Sequence, residues 1–165
     1  MKNKILIIGL LIFVFSQLSC KKPYIIPKIE IGEIVTDVMI KKYSLLKDTE
    51  YSVMTTASSL KKGYKLLVDD IEYSVAVDDN NRIIYITTSD IDFKTPEGIS
   101  IDKSTYNDAL KHTSTGIVIE GGMARCYIPL NSGWNAVVEE IDFIHFIEIP
   151  LNNKVIYLFK KKSQL

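Results

Sequence analysis

The chain has 165 residues, 47% of them hydrophobic, and its 20 basic and 20 acidic side chains balance to a formal charge of zero. That balance excludes the basic field by which proteins hold nucleic acid. With only Cys20 and Cys126, a disulfide framework is excluded as well.

The first element is a leader. Lys2 and Lys4 precede an unbroken apolar run from Ile5 to Phe15, and Ser19 and Cys20 close it. A basic start, a short apolar stretch and a small residue form the layout of a secretory signal. A bilayer-spanning helix needs roughly 20 apolar residues, so this shorter run predicts export and not a permanent membrane helix.

A cysteine directly after a small residue resembles the lipobox of bacterial lipoproteins, and Gln17 and Leu18 resemble the relaxed form of that motif. The resemblance implies that residues 1–19 are a signal peptide. It also implies that Cys20 is acylated and becomes the mature N-terminus. Residues 20–28 would then be a lipidated tether, kept extended by Pro23 and Pro27. Lys21 and Lys22 would lie beside anionic headgroups. No acidic residue follows Cys20 immediately. By the same resemblance, that favours the outer membrane, with the leaflet open.

The remaining 145 residues fit one domain or two small subdomains. Taken in order, an Ile-x-Ile lead (29–31) precedes an amphipathic helix over Glu33–Tyr43, with Val35, Val38, Met39 and the stem of Lys42 on one side. Period-2 alternation then predicts strands at Tyr51–Thr56, Tyr64–Val68, Ile71–Val77 and Arg82–Thr87. The stretch Thr87–Gly98, with Pro96 and Gly98, joins the halves, and residues 91–98 form the linker between the two repeats. A second Ile-x-Ile lead (99–101) opens a helix over Lys103–His112, capped by Asp102 or Ser104, with Tyr106, Ala109 and Leu110 inward. Strands follow at Ile117–Glu120, Met123–Leu130, Trp134–Glu139, Ile141–Ile147 and Lys154–Phe159. Gly121–Gly122, Asp69–Asp70, Glu139–Glu140, Asp78–Asn81 and Asn152–Asn153 read as turns.

The two halves resemble each other. Residues 63–78 lie over 133–148, pairing Gly63 with Gly133, Val68 with Val138 and Ile71 with Ile141. Asn80–Ile86 then falls over Asn152–Leu158 after a two-residue insertion. The expected fold class is α+β: two tandem repeats, 29–90 and 99–160, each a helix followed by an antiparallel meander, with the helices on one sheet face and a basic tail at 161–165. A helix on a small meander, opened by IEIG as in Ile29–Gly32, resembles the BamE-like (SmpA/OmlA) lipoprotein modules. Two in tandem resemble the β-lactamase inhibitor protein fold, which implies a concave sheet that grips a partner protein. Asp102 stands where that pattern has glycine.

No phosphate loop, nucleophile elbow or HExxH motif is present. No catalytic residue, metal site or cofactor is assigned. Cys126 alternates with Ala124, Ile128 and Leu130 and reads as a small buried residue. His112 ends a helix, where a cation suits the dipole. His145 shares a parity with Ile141, Phe143 and Ile147 and reads as a core histidine, with any functional role open. The outward parity of the second half carries Ile144 and Phe146 where the first half has Ser74 and Ala76. Together with Tyr127, Trp134 and Tyr157 they form the candidate partner-binding patch, since aromatic anchors in a polar rim suit protein partners. The expectation is an envelope lipoprotein that binds or inhibits a protein partner. The alternatives are an enzyme of cell-wall or lipid metabolism with a dispersed site, and a structural lipoprotein.

Overall fold

The computed structural model describes residues 29–46, 50–56, 59–120, 125–139 and 149–162. The leader, Cys20, the tether, His145, Ile144 and Phe146 lie outside these residues.

The fold is mostly β. Strands β1 (Tyr51–Thr56), β2 (Ser59–Val68), β3 (Ile71–Val77) and β4 (Ile83–Thr88) form one antiparallel meander. Strands β5 (Val118–Glu120), β6 (Arg125–Pro129), β7 (Asn135–Val138) and β8 (Val155–Lys161) form another. β4 pairs antiparallel with β8, so both belong to a single sheet of order β1-β2-β3-β4-β8-β7-β6-β5. β1 and β3 keep the bounds expected from alternation, whereas β2 begins at Ser59, five residues before the expected Tyr64. The β2–β3 turn uses Asp69 and Asp70, both at positive φ, in the conformation that twists correctly for a tight hairpin.

The expected α+β class is therefore corrected. Two helices are present among the described residues, α1 (Asp37–Tyr43) and α2 (Tyr106–Leu110), and they are too short to form a layer. The residues expected to begin α1 are extended instead. Ile34 bridges Arg82, and the Val35 N–H donates to the Asn81 carbonyl at 2.9 Å. Satisfying the end of the β4 hairpin with the lead backbone outweighs the helical periodicity there. In the second half the expected caps Asp102 and Ser104 are replaced by Thr105, whose capping box with Asp108 starts the helix. The resemblance to tandem α+β modules loses the architecture on which it rested.

The halves correspond in a different way from the sequence alignment. Asp102 N–H donates to Val155 O at 2.8 Å, as Gly32 N–H donates to Ile83 O at 2.8 Å, and both donors sit at positive φ. Asn153 N–H bonds Pro150 O as Asn81 N–H bonds Asp78 O. Beyond β4 and β8, the pairing changes register. Ala76 lies opposite Tyr85, and Val137 lies opposite Tyr157, so β3 corresponds to β7. Both pairings are interrupted at the next residue, between Ala76 and Val77 and between Val137 and Val138. β8 occupies the place beside β7 that the alignment had reserved for Ile141–Ile147, a strand expected outside the described residues. Strands of similar alternation align by pattern alone, which is why residues 133–148 matched 63–78.

One sheet face carries the main core. Val75, Val77, Ile86, Ile128, Ala136, Val155 and Leu158 meet Val35, Met39, Ile99, Ile101 and Ala109. Residues 91–98, expected as a linker, are packed onto it. The Phe93 ring lies 4.7 Å from that of Trp134 and 5.8 Å from that of Tyr73, centroid to centroid. Glu97 accepts hydrogen bonds from the backbone N–H and the hydroxyl of Ser132, holding this segment to the β6–β7 turn. Burial pushes the Glu97 carboxyl up, but the Ser132 and backbone hydrogen bonds outweigh it, and the group lies below its usual range.

Candidate functional site

The other sheet face holds a second cluster with no helical residue in it: Val53, Ala76, Ile84, Tyr85, Tyr127, Val137 and Phe159. Its centre is Phe159, which is 1% exposed. The Phe159 ring stacks on Tyr85 at 5.6 Å and meets the edge of Tyr127 at 5.1 Å. Such pairs add to the stabilisation from burial alone. The half-buried rings of Tyr51 and Tyr157 pack at the rim of this cluster.

Between those rims lies an open cavity of about 470 Å³, lined by Tyr51, Tyr85 and Tyr157 together with Glu72, Ser74 and Thr87. Cross-strand pairing explains the composition. Tyr51, Gly63, Ala76 and Tyr85 lie in one row across β1–β4, so two tyrosines flank two small residues. Gly63 is required in that row: a Cβ there would stand 2.5 Å from the Val75 carbonyl oxygen and 2.6 Å from a Val53 methyl. The Tyr51 hydroxyl and Ser74 Oγ are 3.0 Å apart and share a hydrogen bond. Glu72 pairs with Lys65 at 2.7 Å, and this carboxylate raises the Lys65 pKa against a smaller lowering by burial. Both partners are about one-third or more exposed, so the pair orients side chains more than it stabilises the fold.

The expected patch is divided by this geometry. Tyr157 borders the cavity. Tyr127 shares its face but is 6% exposed, covered in part by Phe159. Trp134 belongs to the main core, 8% exposed and packed on Phe93. The reason is parity: the Leu130 N–H to Trp134 carbonyl bond closes the turn and brings Trp134 in on the face of Ala136 and Val138. Tyr127 and Trp134 are thus corrected from surface anchors to packed rings. Cys126 is buried, as its alternation suggests, and burial raises its thiol pKa, which disfavours the thiolate. His112 lies just beyond α2, its N–H bonded to the Ala109 carbonyl. Sequence reasoning missed Tyr51, Tyr85 and Phe159 as one group. Their only signal was parity, and β4 is buried along nearly its whole length, which hides which side is which.

Among the described residues, no group of three or more His, Cys, Asp or Glu is arranged to hold a metal ion. No helix among them is long and apolar enough to cross a membrane. No known family pattern matches the chain, and no curated protein matches it. Among solved structures it is similar to the uncharacterized protein YfeY from Escherichia coli, at 14% identity and a TM-score of 0.48, covering 80% of this chain and 95% of that one.

Proposed function

We propose that this chain is a membrane-anchored envelope lipoprotein that acts as a protein-binding or inhibitory module, in envelope assembly or as an immunity-type inhibitor. The observation that supports this reading is the cavity between Tyr51 and Tyr157, set on a sheet face apart from the main core. Tyrosines offer large, rigid, amphipathic contact area to a protein partner. The packed Tyr85–Phe159–Tyr127 rings behind them keep that rim in place. Acylation of Cys20 would hold this surface close to a membrane, with outer membrane the favoured site.

Two measurements test the proposal. The mass of the mature N-terminus should show an acylated cysteine at position 20, and Cys20→Ala should remove both the lipid and membrane retention. Proteins crosslinked to the wild type in envelope extract should be lost with Tyr157→Asp. Retention of every captured partner by that variant would show that the rim is not the binding surface.

A further inference from the structure

β1 lies at one end of the sheet, and its Tyr51–Met54 pair in unbroken register with Gly63–Leu60. Among the described residues, β2 alone supplies backbone partners to β1. An antiparallel edge strand turns alternate N–H and C=O groups outward, a ready template for another strand. Natural sheets blunt such edges with lysine, proline, inward charges or brevity. The β1 sequence, Tyr-Ser-Val-Met-Thr-Thr, contains neither a charge nor a proline. Its single irregularity falls between Met54 and Thr56, beyond the regular stretch.

The second observation is a cavity on each side of this strand. On the tyrosine face lies the cavity of about 470 Å³, lined by Tyr51 and Val53 with Ser74 and Thr87. On the helix side lies another of about 480 Å³, where Ile40, Leu46 and Tyr64 stand beside Ser52 and the charged Glu50 and Lys62. A strand laid along an edge directs successive side chains to opposite faces. Strand addition draws affinity from main-chain hydrogen bonds and specificity from pockets that take alternate side chains. β1 has both requirements together.

We propose that β1 is the docking edge for an extended segment of a protein partner, added as a ninth strand beside Tyr51–Met54. The segment is uncharged where it pairs. Its apolar side chains enter the Ile40–Leu46 cavity, and its polar or aromatic ones enter the tyrosine-lined cavity. This extends the binding-module reading from the face of the sheet to its edge, and the two are separable by experiment.

A phage library of random dodecapeptides, panned against the full-length chain in mild detergent, provides the probe. Enriched peptides should alternate apolar with other residues. Their binding should weaken by roughly tenfold or more with Ser52→Lys or Met54→Lys, because a charge on the edge opposes strand pairing. N-methylation of synthetic copies should abolish binding at every second amide and spare the others, a parity that only main-chain pairing produces. Bound peptide should slow amide exchange at Tyr51–Met54, and Tyr127→Ala, behind the rim, should leave the methylation pattern unchanged. Absence of enriched peptides, or binding indifferent to both lysine variants and to methylation, would overturn the proposal while leaving the face reading standing. A concentration-dependent dimer abolished by Met54→Lys would also overturn it, by making a second copy the occupant.

Discussion

The two halves of the sheet use the same hydrogen-bond plan with different side chains. Between β3 and β4 run five residues, 78–82, whereas between β7 and β8 run sixteen, 139–154. The central strands nevertheless keep their leads: Gly32 and Asp102 each donate from positive φ to the first residue of β4 or β8. The backbone plan is thus the invariant, and packing is adapted around it. Thr87 lies opposite Phe159, its own counterpart, where the halves meet. One of those positions is a half-buried hydroxyl and the other the centre of an aromatic cluster.

That asymmetry yields the largest expected effect. Phe159→Ala should cost about 3–5 kcal/mol, read from urea denaturation, because it empties a site between Tyr85 and Tyr127. Thr87→Ala, across the same pair, removes one hydroxyl bond to the Leu158 carbonyl and should cost about 1 kcal/mol. Equal losses would show that the two positions are not specialised.

Gly63 sharpens the comparison at the next row. It lies opposite Ala76, as Tyr127 lies opposite Val137, so one half takes a glycine where the other takes a ring. Gly63→Ala should lower stability by about 1–3 kcal/mol, since the added methyl meets the Val75 carbonyl and Val53. It should also raise amide exchange in β1 before β5 if the clash is local.

The leads differ by less. A Cβ at Gly32 would touch nothing within 4 Å, so Gly32→Ala should cost only the left-handed backbone strain, roughly 1–2 kcal/mol. Asp102→Gly should relieve the corresponding strain in the other half and raise the thermal midpoint. A fall in that midpoint would mean that the aspartate side chain offsets its backbone.

The smallest effect is the pH dependence that Asp108 gives to α2. Asp108 is held down to about 2, first by Lys111 at 3.0 Å and then by the N–H and hydroxyl of Thr105. A depressed carboxyl contributes stability that is complete above its ordinary range and is lost as pH falls toward about 2. The difference in urea midpoint between wild type and Asp108→Asn should therefore shrink between about pH 5 and pH 2. α1, capped by Thr36 without a capping box, should show no such loss in Thr36→Ala.

The sequence alone determined the bounds of β1 and β3. Alternation placed Tyr51–Thr56 and Ile71–Val77 at the bounds observed, because side-chain parity in a half-buried strand is a local property. It also revealed the matching Asn80–Ile86 and Asn152–Leu158 segments, whose turn chemistry is local as well. Helix extent was less legible, since backbone pairing of Ile34 and Val35 with the β4 hairpin depends on residues almost fifty positions away. Tertiary structure decided three things that no local pattern could carry. It joined β4 to β8 into one sheet, it shifted the correspondence of the halves from β3 with residues 141–147 to β3 with β7, and it sent Trp134 and Tyr127 to opposite faces. The physical reason is common to all three: a strand records in its own sequence which residues alternate, but its neighbour and its buried side are set by contacts distant in the chain.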